Sequence, residues 1–153
     1  MAAPGSFVAG QVLTAAEMNN LPGGVVVNTV LGGATLTTTA ITTTNQNILV
    51  DSTTLVSGRK YLCLVSIGTL AEASAGSRTV RSRIFVEGAR VTAMETSLSS
   101  GFGAIQTTSF VFTATGGGGN HYVDIDTNSG TVDLVTQDDV QLSTFLIIDL
   151  GTN

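Results

Sequence analysis

From Val25 onward the chain alternates β-branched and polar residues between turn signals, and no helical period of useful length interrupts it. A period of two over so long a stretch restricts the body to strands. The pattern predicts strands at 25–31, 34–43, 47–56, 60–70, 78–87, 89–96, 104–115, 120–127, 131–136 and 140–150. That number suits an all-β, two-sheet antiparallel jelly-roll sandwich. In 60–70, Tyr61, Cys63, Val65 and Ile67 share one face while Leu62 and Leu64 take the other, which predicts a central strand buried on both sides. In 120–127, Val123 and Ile125 alternate with Tyr122, Asp124 and Asp126, which predicts a half-exposed strand with its polar face toward solvent or a partner.

Two turn signals stand out. Glu87-Gly88 separates Arg81–Val86 from Ala89–Thr92 and predicts a tight hairpin with glycine at a positive φ. The run Gly116–Gly119 lacks the Lys-Ser/Thr of a phosphate loop and leads into a strand instead of a helix, so it predicts a flexible hairpin loop.

The first 24 residues differ in kind from residues 25–153 and form an N-terminal arm that ends in the helix stop Leu21-Pro22-Gly23-Gly24. Thr14-Ala15-Ala16-Glu17 is a capping box, in which the Thr14 hydroxyl accepts from the Glu17 amide and the Glu17 carboxylate accepts from the Thr14 amide. Leu13 and Met18 complete a hydrophobic staple. A helix of one or two turns is not stable alone in water. It needs packing, either on its own sandwich or on a neighbouring subunit or shell, with Leu13, Thr14, Glu17, Met18 and Leu21 as the binding residues of the arm.

At 153 residues the chain fits one domain, and only 11% of it is charged against about 25% in an average soluble domain. A free monomer needs more charge to stay dispersed, so much of the surface is expected to lie inside interfaces with other copies. The net charge of −5 and the lack of a basic run exclude nucleic acid as a partner. No apolar run approaches the roughly 20 residues of a membrane span, and Met1–Gly5 has no export-signal pattern. Cys63, within Tyr61–Val65, reads as a small buried hydrophobe.

One histidine, His121, and no tryptophan leave nothing for a His-cluster metal site, and no catalytic residue, metal or cofactor is expected. His121 follows a glycine turn at a strand start, where an exposed polar histidine is expected. Asp124 and Asp126 lie on one side of their strand, and with Asp133 on a neighbouring strand they would offer oxygen ligands to calcium.

The six basic residues, Arg59, Lys60, Arg78, Arg81, Arg83 and Arg90, all precede residue 91, whereas Asp124, Asp126, Asp133, Asp138, Asp139 and Asp149 come late. Either the fold interleaves the two regions within one subunit, or they complement each other head-to-tail around a cyclic oligomer, with a trimer the natural size. In the second case Arg81 and Arg83, on one strand face, reach the carboxylates of a neighbour, with Asp124 and Asp126 as further interface charges.

The arm Phe7–Asn19 and the C-terminal Phe145–Gly151 resemble proteins encoded by tailed phages. Between them, Arg59-Lys60-Tyr61 opening a strand, the hairpin at Arg83–Gly88 and Gly119–Tyr122 opening another strand resemble small phage jelly-roll proteins of the tail-fibre, minor-tail and capsid-decoration kinds. The resemblance implies a virion structural protein, non-enzymatic, a homotrimer of tumour-necrosis-factor-like architecture bound to major capsid protein or tail proteins. One compact domain with a short arm and no shaft favours capsid decoration. The alternative is a tail-associated receptor- or carbohydrate-binding protein that uses Tyr122, Phe102 and His121.

Overall fold

The computed structural model describes residues 21–31, 37–72, 76–99, 103–136 and 142–152. The predicted capped helix, with Leu13, Thr14, Glu17 and Met18, lies outside the described residues, as do Phe102, Asp138 and Asp139.

The described residues form ten strands: β1 (Gly24–Leu31), β2 (Thr37–Ile41), β3 (Gln46–Asp51), β4 (Lys60–Glu72), β5 (Arg78–Val86), β6 (Ala89–Leu98), β7 (Gly103–Thr113), β8 (His121–Thr127), β9 (Val132–Thr136) and β10 (Ser143–Gly151). All pairs are antiparallel, in two sheets. The six-stranded sheet runs β1-β10-β4-β9-β2, with β7 on the other side of β4, and the four-stranded sheet runs β3-β8-β5-β6. The pairing is nested. β5 pairs β6, β4 pairs β7, β3 pairs β8, β2 pairs β9 and β1 pairs β10, so each strand meets the one equally far from the opposite terminus.

Alternation decides what each sheet buries. On β5 the even residues Val80, Ser82, Ile84 and Val86 point inward, and Val123 and Ile125 join them from β8. Opposite, β4 contributes Tyr61, Cys63, Val65 and Ile67, and β10 contributes Phe145 and Ile147. Each fully buried Ile or Leu in this layer is worth about 1.5–3 kcal/mol relative to exposure. Burial pushes the Cys63 thiol up to about 12.

The β5–β6 hairpin turns on Glu87 and Gly88, both at positive φ (50° and 75°), as a two-residue hairpin loop requires to match the strand twist. β3 stops at Asp51, earlier than its alternation predicts, because the Asp51 Oδ1 accepts from the Thr53 amide at 2.7 Å and turns the backbone out of the ladder.

Three expectations need correction. β8 is not half-exposed: Asp124 and Asp126 on its outer side are buried, as Val123 and Ile125 are on its inner side, because arginines from β5 lie against them. β4 is central, but the described residues cover only one of its faces, and Leu62 and Leu64 on the other are half-buried. The tetraglycine does not close a hairpin. It carries the chain from β7 in one sheet to β8 in the other, since β7 pairs β4 and β8 pairs β3 and β5.

Candidate functional site

The two outward-facing sheet surfaces differ in chemistry. On the four-stranded sheet, β5 and β8 set Arg81 opposite Asp126 and Arg83 opposite Asp124. Arg81 Nε lies 3.0 Å from Asp126 Oδ1, and Arg83 Nη1 lies 3.1 Å from Asp124 Oδ2, while Arg83 Nη2 also donates to Asp126 Oδ2. The Arg83 guanidinium is held above its ordinary pKa, first by the hydrogen bond to Asp126, with burial opposing it and the charges of Asp126 and Asp124 adding to it. Beside this cluster the Phe85 and Tyr122 rings stack with centroids 4.5 Å apart and planes 8° apart.

The fold therefore interleaves the late acids with the early bases. Arg59 extends the rule, with its Nε 3.0 Å and 2.8 Å from the two Asp149 oxygens and its Nη2 donating to the Leu21 carbonyl. Within the subunit, Arg81 and Arg83 pair with Asp124 and Asp126, as the first of the two sequence readings has it. Asp133 lies on β9 of the other sheet, against Ala40 and Ala71, so it does not join Asp124 and Asp126 in a calcium site. Among the described residues, no group of three His, Cys, Asp or Glu side chains is placed to hold a metal ion.

His121 is fully buried, contrary to its expected exposure. Its Nδ1 accepts from the Glu87 amide at 3.1 Å and its Nε2 lies 2.8 Å from the Thr53 carbonyl, an arrangement that fits the Nε2–H tautomer. The ring joins the loop after β3 to the β5–β6 turn. The Glu87 carboxylate accepts from the Thr115 amide and hydroxyl, both at 2.9 Å, and from the Gly116 amide at 2.8 Å. Burial disfavours the charge on Glu87, but these three donors outweigh it and bring its pKa below the ordinary glutamate value. Glu87 was legible only as a turn residue; its role as an anion binding the glycine loop depends on β7 ending beside β5–β6.

Gln106 was also missed. It occupies an inward position of β7 that alternation gives to Ala104, Phe110 and Phe112, and it is 3% exposed. The only signal for it is a long polar side chain, with Thr108 next to it in the series, among the apolar inward positions of β7.

The outer face of β1-β10-β4-β7 is the opposite in character. Register places Val25, Ile148, Leu62 and Val111 in one row across four strands, then Asn28, Leu146, Leu64 and Ser109, then Val30, Thr144, Ser66 and Thr107. None of these side chains is charged. Val25 and Val111, at the two edges of the first row, are 56% and 58% exposed.

No protein-family model matches the chain, and no curated protein matches it. Among solved structures it is similar to a chain of the Bacillus endospore appendages, described as a novel family of disulfide-linked pili, at 17% identity and a TM-score of 0.28, over 82% of this chain and 91% of that one.

Proposed function

We propose that this chain is a non-enzymatic structural protein of a tailed-phage virion: a jelly-roll domain that trimerises and decorates the capsid by binding the major capsid protein. The nested strand order carries the fold part of this reading, since a single antiparallel ribbon of paired strands folded over into two sheets is how a jelly roll is made. Resemblance of the arm and of Phe145–Gly151 to virion proteins supports the rest. The described acids Asp124, Asp126 and Asp149 are engaged by Arg83, Arg81 and Arg59, and His121 by two backbone groups, which favours a scaffold role for these side chains.

In this reading the arm residues Leu13, Thr14, Glu17, Met18 and Leu21 bind across neighbouring shell subunits. Opening the shell then breaks those contacts as well, which stabilises the closed state by linkage. Tyr122, on the outer face against Phe85, favours the alternative, a tail-associated receptor- or carbohydrate-binding protein.

Cryo-electron microscopy of intact particles tests the proposal. Density for this domain at regular positions on the head supports decoration. Density confined to the tail tip or fibres moves the assignment to adsorption, and particles that lack the domain altogether rule out both.

A further inference from the structure

The apolar runs of β4 and β10, Tyr61–Val65 and Phe145–Ile148, have the composition of strands buried on both faces, yet the described residues cover only their inner face. The side that the described residues leave open is the row Val25, Ile148, Leu62 and Val111 with the two rows that follow it through Leu64 and Ser66. We propose that this face of β1-β10-β4-β7 is the self-association surface of the protein, and that its occupant is another copy of the same chain.

Three observations select a second copy. The three rows carry no charge, and Lys60, one row beyond Leu62 on the same face, is the one charge at their end, so the centres of two such faces meet without like-charge pairs even though each chain has a net charge of −5. The charges best placed for a head-to-tail contact, Arg81 and Arg83, are engaged inside the subunit on the other sheet, which leaves the apolar face as the better candidate. Size also fits. Four strands about 4.8 Å apart and roughly seven residues at about 3.3 Å each give a patch of roughly 19 by 23 Å. That is about half of the roughly 800 Å² per partner of a standard interface, the size expected for its desolvated centre. The inference rests on the oligomeric part of the proposed function and not on the virion assignment.

The test is the mass of the full-length protein in solution, by sedimentation velocity from about 1 to 100 µM. The wild type is expected to be oligomeric. Val111→Glu and Val25→Glu place a charge at exposed edges of the row and should weaken association at least tenfold, whereas Val91→Glu, exposed on β6 of the other sheet, should not. Val25→Thr with Val111→Thr keeps β-branched residues and guards against misfolding. It should retain the wild-type circular dichroism spectrum and still associate several-fold more weakly. A monomeric wild type overturns the inference, including one that floats with phosphatidylcholine vesicles, as does an oligomer that both the Glu and the Thr variants leave intact. Incorporation of the same variants into particles separates the two proposals: loss of the oligomer in a protein never found on particles sustains the face and removes the virion.

Discussion

The Ser82 hydroxyl of β5 donates to Gln106 Oε1 of β7, tying the four-stranded sheet to the six-stranded one through the core. Gln106 Nε2 donates in turn to the Val80 carbonyl at 3.2 Å and to Thr96 Oγ1 at 3.1 Å. Gln106→Leu should lower stability by about 2–3 kcal/mol, because it leaves the partners of a buried amide unpaired. Ser82→Ala should cost about 1 kcal/mol, and the double variant less than the two together. Urea titration of all three measures this; strict additivity would mean that the two residues do not act as a unit.

Arg83 is the common partner of Asp124 and Asp126, and all three side chains are largely shielded from water. Arg83→Met leaves both carboxylates without this guanidinium and should cost about 3 kcal/mol or more. Arg83→Lys restores the charge without the fork and should recover only part of that loss. Thermal unfolding at low and high salt checks the assignment, since a shielded cluster is screened far less than a surface pair.

Glu87 makes stability sensitive to acid. Its folded-state pKa lies below its ordinary value, so its contribution is complete above the unfolded pKa of about 4.3 and is lost as pH falls through the folded pKa. Glu87→Gln should be less stable than wild type at pH 7, and the gap should narrow as the pH is taken below 4. A gap that stays constant from pH 7 to pH 3 would mean that the ionised carboxylate does not hold Thr115 and Gly116.

Within the tetraglycine, position decides the cost of a methyl group. A Cβ on Gly119 would lie 2.7 Å from the Glu87 carbonyl carbon and oxygen, whereas one on Gly118 meets nothing within 4 Å. Gly119→Ala should destabilise by about 1–3 kcal/mol, the range for overpacking. Gly118→Ala should be neutral or slightly stabilising, since it restricts the unfolded chain. Denaturation midpoints of the two variants give the comparison.

The strands and the Glu87-Gly88 turn were legible because they follow from local alternation and turn chemistry; each of the ten strands overlaps its expected position, with β3 ending at Asp51 instead of residue 56. The inward faces of β4 and β5 could be assigned from the same period. Which outward-facing groups meet each other could not. Asp124 reads as a solvent-facing residue until β5 is known to pair with β8 and to set Arg83 beside it. His121 reads as exposed until Thr53 and the Glu87 amide, 68 and 34 residues away, are brought to its two nitrogens. Both errors have one physical origin: burial of a polar side chain depends on partners supplied by long-range register, and nothing in its own neighbourhood announces them.

Nested pairing also bears on the order of folding. The β5–β6 hairpin spans two residues, while Leu31 meets Ser143 only across nearly the whole chain. Closing the long loop first would carry the full entropy cost of ordering so much chain, whereas each inner pair brings the next two strands closer. Folding is therefore expected to zip outward from Glu87 and Gly88, with the two ends joining last. The edge strand β1 and the C-terminal strand β10 are then the most recent arrivals and the first to leave, and the aliphatic row they complete exists only once the chain has finished folding.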